Sequence, residues 1–300
     1  MVDSKNHNWS LQRKEIIPVS PERAWRALTN ATELSVWWCD EATIDLVVGG
    51  EFLFRGSNVF TSSLTPGTSD VEQSCVLTEV VDGKRIQFQW PIGNLDTIVT
   101  FEVINRMELA EVRVTQTAPQ APCDWHFGDD RPNWWWIALP ALRSFLETGS
   151  VALRLDYSQA QHEPPLSLSA DFTTFPWVIW SKLTDDKEIP RWWGTDVVID
   201  LRAGGQFTFA SSEVAGPQKI LAIEKESVFS HNWVWPDKTE SVVTWKLEDT
   251  DNATRVSVTD HGPWPSSLRR DYHFIYWASA LLYVKQMSER GVTPREYQQY

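Results

Sequence analysis

The chain has 300 residues, 42% of them hydrophobic, and a formal charge of −13. That acidity disfavours nucleic acid and anionic membrane surfaces as partners, and no apolar run is long enough for membrane insertion. The polar start, Met1 to Ser10, has no signal-peptide core, and an odd set of three cysteines (Cys39, Cys75, Cys123) suits a reducing compartment, so a cytoplasmic location is expected.

A strand is expected from Leu11 to Ile17. Ser20-Pro21-Glu22 then reads as a helix start: a capping hydroxyl, proline at the first helical position and an acid at the positive end. Trp25 and Leu28 share a face of this short helix, and a second begins near Asn30 and carries Leu34, Trp37 and Trp38. The period then changes to two. Ile44, Leu46 and Val48 alternate, Gly49-Gly50 turns the chain, and Phe52 and Phe54 alternate on the next strand. Gly56 to Gln73 reads as a surface loop. Four more strands are expected at Cys75 to Val80, Arg85 to Trp90, Thr97 to Ile104 and Leu109 to Thr117. A long helix from Arg131 to Glu147 closes the series at Gly149, with Pro140 inside it as a kink.

The series then repeats. Shifted by 155 residues, Trp25 to Phe54 falls on Trp180 to Phe209 with 13 identities in 30 ungapped positions: Trp25, Leu28, Thr29, Glu33, Trp37, Trp38, Ile44, Asp45, Leu46, Gly49, Gly50, Phe52 and Phe54 recur. Downstream, Val99-Thr100 matches Val243-Thr244, and Trp135, Ala138, Leu139, Glu147 and Gly149 match Trp277, Ala280, Leu281, Glu289 and Gly291. A repeat this long means two copies of a whole domain. We expect domain 1 at 1–157, a linker at 158–165 containing Pro164-Pro165, and domain 2 at 166–300. The second long helix, Phe274 to Val284, is apolar on nearly every side and is expected to be buried all round, against the other domain or a second subunit.

Each copy is therefore α+β: a curved antiparallel sheet wrapped around a long C-terminal helix. The space between sheet and helix is a candidate cavity. Eighteen tryptophans exceed ordinary core needs and could line it. The residues expected there are Trp38, Phe54, Trp90, Trp135 and Leu142 in copy one. In copy two they are Trp193, Phe209, Trp233, His261, Tyr276, Trp277 and Leu281. One tryptophan of each Trp-Trp pair is expected in the core and the other toward ligand.

Catalytic signals are sparse. Gly49-Gly50 and Gly204-Gly205 do not open helices, so no phosphate loop is read. Cys123-Asp124-Trp125-His126 lacks a second ligand pair, and no metal or cofactor is expected. Acid–base groups concentrate in copy two: His231, Asp260, His261, Tyr272, His273 and Tyr276, where copy one has Gln116 for Asp260 and Thr117 for His261. His261 or His273 as base with Tyr276 as donor is the weak catalytic alternative. Asp45 and Asp200 are expected to be structural.

Taken together, the proline-led helix, the Leu-Thr step, the Trp-Trp pair, the Asp-Leu and Gly-Gly elements and the terminal Trp-bearing helix resemble the START-like, Bet v 1-like (SRPBCC) superfamily. Within it the chain resembles the Activator of Hsp90 ATPase homologue 1-like (AHSA1-like) family, in two tandem copies. The resemblance implies a helix-grip fold with an interior pocket for a small apolar or amphipathic ligand. Only ten residues precede Leu11, so the separate ATPase-activating domain of the co-chaperone members is not expected. The favoured reading is a non-enzymatic binding protein. The alternatives are a cyclase- or dehydratase-like enzyme in domain 2, and a protein-interaction module with a chaperone as partner. A homodimer is compatible with either.

Overall fold

The repeated residues recur because each makes the same local structure in both halves of the molecule. The computed structural model describes residues 9–56, 72–92, 95–119, 135–151, 165–193, 195–209, 217–234, 238–251, 253–263 and 267–291. The chain divides into two units, Met1–Gln159 and Ala160–Tyr300. The expected linker lies outside the described residues except for Pro165, as do most of the loop after Gly56 and the Cys123–His126 segment.

Unit 1 runs β1 (Trp9–Ile17), α1 (Pro21–Thr29), α2 (Ala31–Trp37), β2 (Glu41–Ile44), β3 (Glu51–Arg55), β4 (Glu72–Val81), β5 (Arg85–Ile92), β6 (Leu95–Arg106), β7 (Leu109–Ala118) and α3 (Trp135–Thr148). Its seven strands form one antiparallel sheet in the order β1-β7-β6-β5-β4-β3-β2. Unit 2 repeats the plan with β8 (Leu166–Phe172), α4 (Pro176–Thr184), α5 (Ile189–Trp193), β9 (Val197–Ile199), β10 (Gln206–Phe209), β11 (Gln218–Glu224), β12 (Val228–Val234), β13 (Glu240–Thr250), β14 (Ala253–His261) and α6 (Ser267–Arg290). Its sheet order is β8-β14-β13-β12-β11-β10-β9. Both sheets carry a register shift at the same place, between Leu77 and Glu79 and between Ile220 and Ala222, an irregularity of the kind that bends a strand locally. This is the tandem α+β helix-grip architecture.

Local chemistry explains the shared motif. Ser20 Oγ accepts from Arg23 N–H at 3.2 Å and Asn30 Oδ1 from Glu33 N–H at 3.1 Å, capping α1 and α2. In unit 2 Phe175 stands at the first cap position and makes no side-chain cap. Thr29 and Thr184 each donate to the carbonyl four residues back, at 2.8 Å. Trp37 donates its indole N–H to the Ala27 carbonyl at 2.9 Å, and Trp192 to that of Lys182 at 2.7 Å. The first tryptophan of each pair thus fastens the second short helix to the first. Glu33 is paired with Arg23 and Arg26, and Glu188 with Lys182 and Arg191.

Two expectations are corrected in detail. β2 stops at Ile44 and β9 at Ile199, so residues 45–50 form a loop rather than continuing the strand, and Val47 and Val48 are exposed. The cause is the backbone turn: Val47 N–H donates to the Asp45 carbonyl and Gly50 N–H to that of Val47, which ends the ladder early. Asp45 and Asp200 are exposed beside these loops, their backbone carbonyls closing the turn. α6 is longer than expected, starting at Ser267 and ending at Arg290, and α3 contains Pro140 as the sequence predicts. From Tyr276 to Met287 every residue of α6 is buried, as its all-round apolar pattern requires.

The second glycine of each pair is needed for space. A Cβ on Gly50 would strike the Asp45 carbonyl, and one on Gly205 the Asp200 carbonyl. Gly205→Ala is therefore expected to destabilise the protein by about 2 kcal/mol or more, read as a lower urea midpoint. An unchanged midpoint would contradict the tight turn.

Candidate functional site

The period of two on the central strands aims alternate side chains at the long helix, and the sequence fills those positions with rings. In unit 1, Trp38 lies 5.3 Å from Phe54, 6.0 Å from Trp90, 5.4 Å from Phe101 and 5.6 Å from Trp135, centroid to centroid. Phe88 joins Phe52 and Phe101 at 5.2 and 5.6 Å. Trp38, Phe54, Trp90, Trp135 and Leu142 are each at most 2% exposed. A polar chain crosses this layer. Trp135 on α3 donates its indole N–H to Gln116 Oε1 at 2.9 Å, Gln116 Nε2 donates to Thr97 Oγ1 at 3.0 Å, and Thr97 donates to the Trp90 carbonyl at 2.7 Å.

Unit 2 builds the same layer with different chemistry. Trp193 lies 4.8 Å from Phe209, 5.2 Å from Trp233, 5.6 Å from Tyr276 and 6.4 Å from Trp277. Trp277 on α6 donates its indole N–H to Asp260 Oδ2 at 2.9 Å. Asp260 thus stands where unit 1 has Gln116. The position of Phe88 is taken by His231: Phe88 faces Val99, which faces Gln116, and His231 faces Val243, which faces Asp260. The imidazole sits 4.9 Å from Phe207, 5.2 Å from Phe229, 5.9 Å from Trp233 and 6.4 Å from Trp277. Gln218 is also buried on β11, its Oε1 accepting from Val234 N–H at 2.7 Å, where unit 1 has Cys75. Burial in the same way pushes the Cys75 thiol up to about 12, so it is an inert core residue.

Two further differences follow. Trp193 is half-buried, whereas Trp38 is enclosed, so the aromatic layer of unit 2 reaches the surface at Trp193. His231 is held neutral. Burial drives its pKa down to about 4, against the weaker upward pull of its hydrogen bond to the Asn232 carbonyl and of the charge on Asp260.

Most residues expected from the sequence are thus brought together: Trp38, Phe54, Trp90 and Trp135 in one layer, and Trp193, Phe209, Trp233, Tyr276 and Trp277 in the other. Leu142 and Leu281 are buried on α3 and α6. His261 is not brought in. It is exposed, because alternation along β14 sends Asp260 inward and its neighbour outward. The side chain of His273 lies outside the described residues. The sequence marks His231 only as an acid–base group, yet it stands two residues from Trp233 and from Phe229, and that spacing puts all three on one face. Among the described residues no three His, Cys, Asp or Glu side chains stand together as a metal site. Nor is any described helix long and apolar enough to cross a membrane.

Against this geometry, the family model described as Activator of Hsp90 ATPase homolog 1-like protein matches twice, over residues 18–135 and 174–287. The chain belongs to the AHSA1-like family. The two matched segments of this AHSA1-like protein fall one in each unit. No curated protein matches it by sequence. Among solved structures, DynU16, a protein of the dynemicin biosynthetic locus, is similar at 15% identity over 93% of this chain and 98% of its own, with a TM-score of 0.41. CalU16 from Micromonospora echinospora is 23% identical over 45% of this chain and 80% of its own, with a TM-score of 0.38. The Aha1 dimer from Colwellia psychrerythraea is 21% identical over 47% of this chain and 98% of its own, also with a TM-score of 0.38.

The neutral His231 has a consequence for this AHSA1-like chain. The unfolded chain binds a proton near 6.5, whereas the folded chain does not until about 4. Stability conferred by the neutral ring is therefore complete above 6.5 and is lost as pH falls from 6.5 to 4, by on the order of 3 kcal/mol in all. His231→Phe, which installs the residue of unit 1, should remove that part of the slope in urea unfolding measured across this range. Parallel curves for variant and parent would contradict the burial of His231.

Proposed function

We propose that this protein is a non-enzymatic binder of a small hydrophobic or amphipathic molecule, held between sheet and long helix in unit 2. The observation that carries the reading is the difference between two otherwise matching layers. Unit 1 closes its layer with Phe88 and Gln116, and Trp38 is enclosed within it. Unit 2 places His231 and Asp260 at those positions and leaves Trp193 half-buried at the margin. Buried polar groups are costly without partners, and a few convergent polar groups in an apolar, aromatic surround are the usual make-up of a small-molecule site. Unit 1 serves as scaffold. The family fold, which commonly holds apolar ligands, supports the same reading.

Binding is preferred to catalysis for a residue-level reason. His261, one of the two bases the enzyme reading invoked, points outward and cannot reach a molecule lying between β12 and α6.

Titration of the full chain with neutral 1-aminoanthracene, followed by energy transfer from tryptophan, should show saturable binding. Trp193→Ala should weaken it about tenfold, on the order of 1.4 kcal/mol, while Trp38→Phe in unit 1 should change it less than about twofold. No saturable signal, or equal losses in the two variants, would remove the reading.

A further inference from the structure

The polar groups of unit 2 restrict what could enter. His231 Nδ1 lies 2.8 Å from the Asn232 carbonyl oxygen. A carbonyl can only accept, so the ring proton is on Nδ1, and Nε2 of the neutral ring carries a lone pair. Nδ1 is the nitrogen nearer the main chain, bound to its own strand. Nε2 is at the far end of the ring, and the ring lies among Phe207, Phe229, Trp233 and Trp277. Asp260, on the same cross-strand row by way of Val243, likewise accepts, taking the indole proton of Trp277. Unit 2 therefore presents one acceptor, His231 Nε2, in an aromatic surround beside an acidic side chain. A flat apolar body with a proton to donate fits that arrangement. An anionic head brings no proton and meets Asp260.

Resting on the binding reading above, we propose that the ligand of unit 2 is an aromatic hydroxyl compound, a phenol in chemical class, whose O–H donates to His231 Nε2, and that carboxylates of the same shape are refused. A site built to accept a hydrogen bond rejects an isostere lacking the donor more strongly than an apolar pocket rejects a size change, because the acceptor is left buried and unpaired. Unit 1, with Phe88 at this position, has no such preference.

The test is isothermal titration of the full chain at neutral pH with three probes of one shape: 2-naphthol, 2-methoxynaphthalene and 2-naphthoate. The donor probe should bind on the order of tenfold more tightly than its methyl ether, and the carboxylate most weakly. In His231→Phe the ratio of naphthol to ether should fall to within about twofold while the ether still binds. Ether equal to naphthol, or naphthoate tightest, would leave the binding reading standing and overturn the donor assignment. No heat from any of the three would overturn both. The ranking in the parent chain decides the matter even if the variant fails to fold.

Discussion

An indole N–H buried among other rings must find an acceptor on the sheet, and both halves of this molecule are organised around that requirement. The long helix of each unit carries a tryptophan, Trp135 or Trp277, whose N–H meets the last strand at 2.9 Å. The bond fixes the helix against the concave face and sets the depth at which the other rings pack. It also obliges each sheet to bury a polar residue in an aromatic layer. Gln116 satisfies the need in unit 1 and donates a hydrogen bond from its Nε2 to Thr97, giving a neutral chain that ends on the Trp90 carbonyl. Asp260 satisfies it in unit 2 with an acid.

The chemical difference between the two layers grows from that choice. An acid in the layer favours a neighbour that can carry a proton, and unit 2 has His231 where unit 1 has Phe88. Desolvation is the larger influence on that ring and keeps it neutral, so the two groups do not form a buried ion pair. Helix anchoring elsewhere follows a common plan. Arg143 on α3 pairs with Glu15 at 3.0 Å and Glu147 at 2.7 Å, and Lys285 on α6 bonds the Asp171 carbonyl and Glu289. These buried cations hold the far end of each helix, so changes near Trp277 are made against a fixed frame.

Much of this was legible in the sequence because duplication exposes which residues are obligatory. Trp37 and Trp192, Thr29 and Thr184, and Gly50 and Gly205 recur because each satisfies a backbone group or avoids one. Part of each aromatic layer followed from the alternation of Phe52 and Phe54, repeated at Phe207 and Phe209, and from Trp135 and Trp277 on the helices. What escaped was the sense of the polar substitutions. Asp260 and His261 are adjacent, and the sequence pattern points to His261 as the inward residue, whereas the structure buries Asp260 and exposes His261. The outward turn of His261 follows from its register against Val242, fixed by pairing along β13. His231 was hidden for a different reason: a lone histidine in a strand is ordinary, and its meaning came only from Phe88 at the matched position. The early end of β2 was likewise set by a turn bond from Val47 that no hydrophobic pattern announces.

The most direct measurement is native against denaturing mass spectrometry on freshly purified full-length protein, run in parallel for the parent and for Trp193→Ala. The account predicts a discrete extra mass on the parent that vanishes on denaturation and is depleted in the variant. A clean unliganded mass for the parent would contradict it: both aromatic layers would then be filled cores, and the weight would pass to a protein-interaction role.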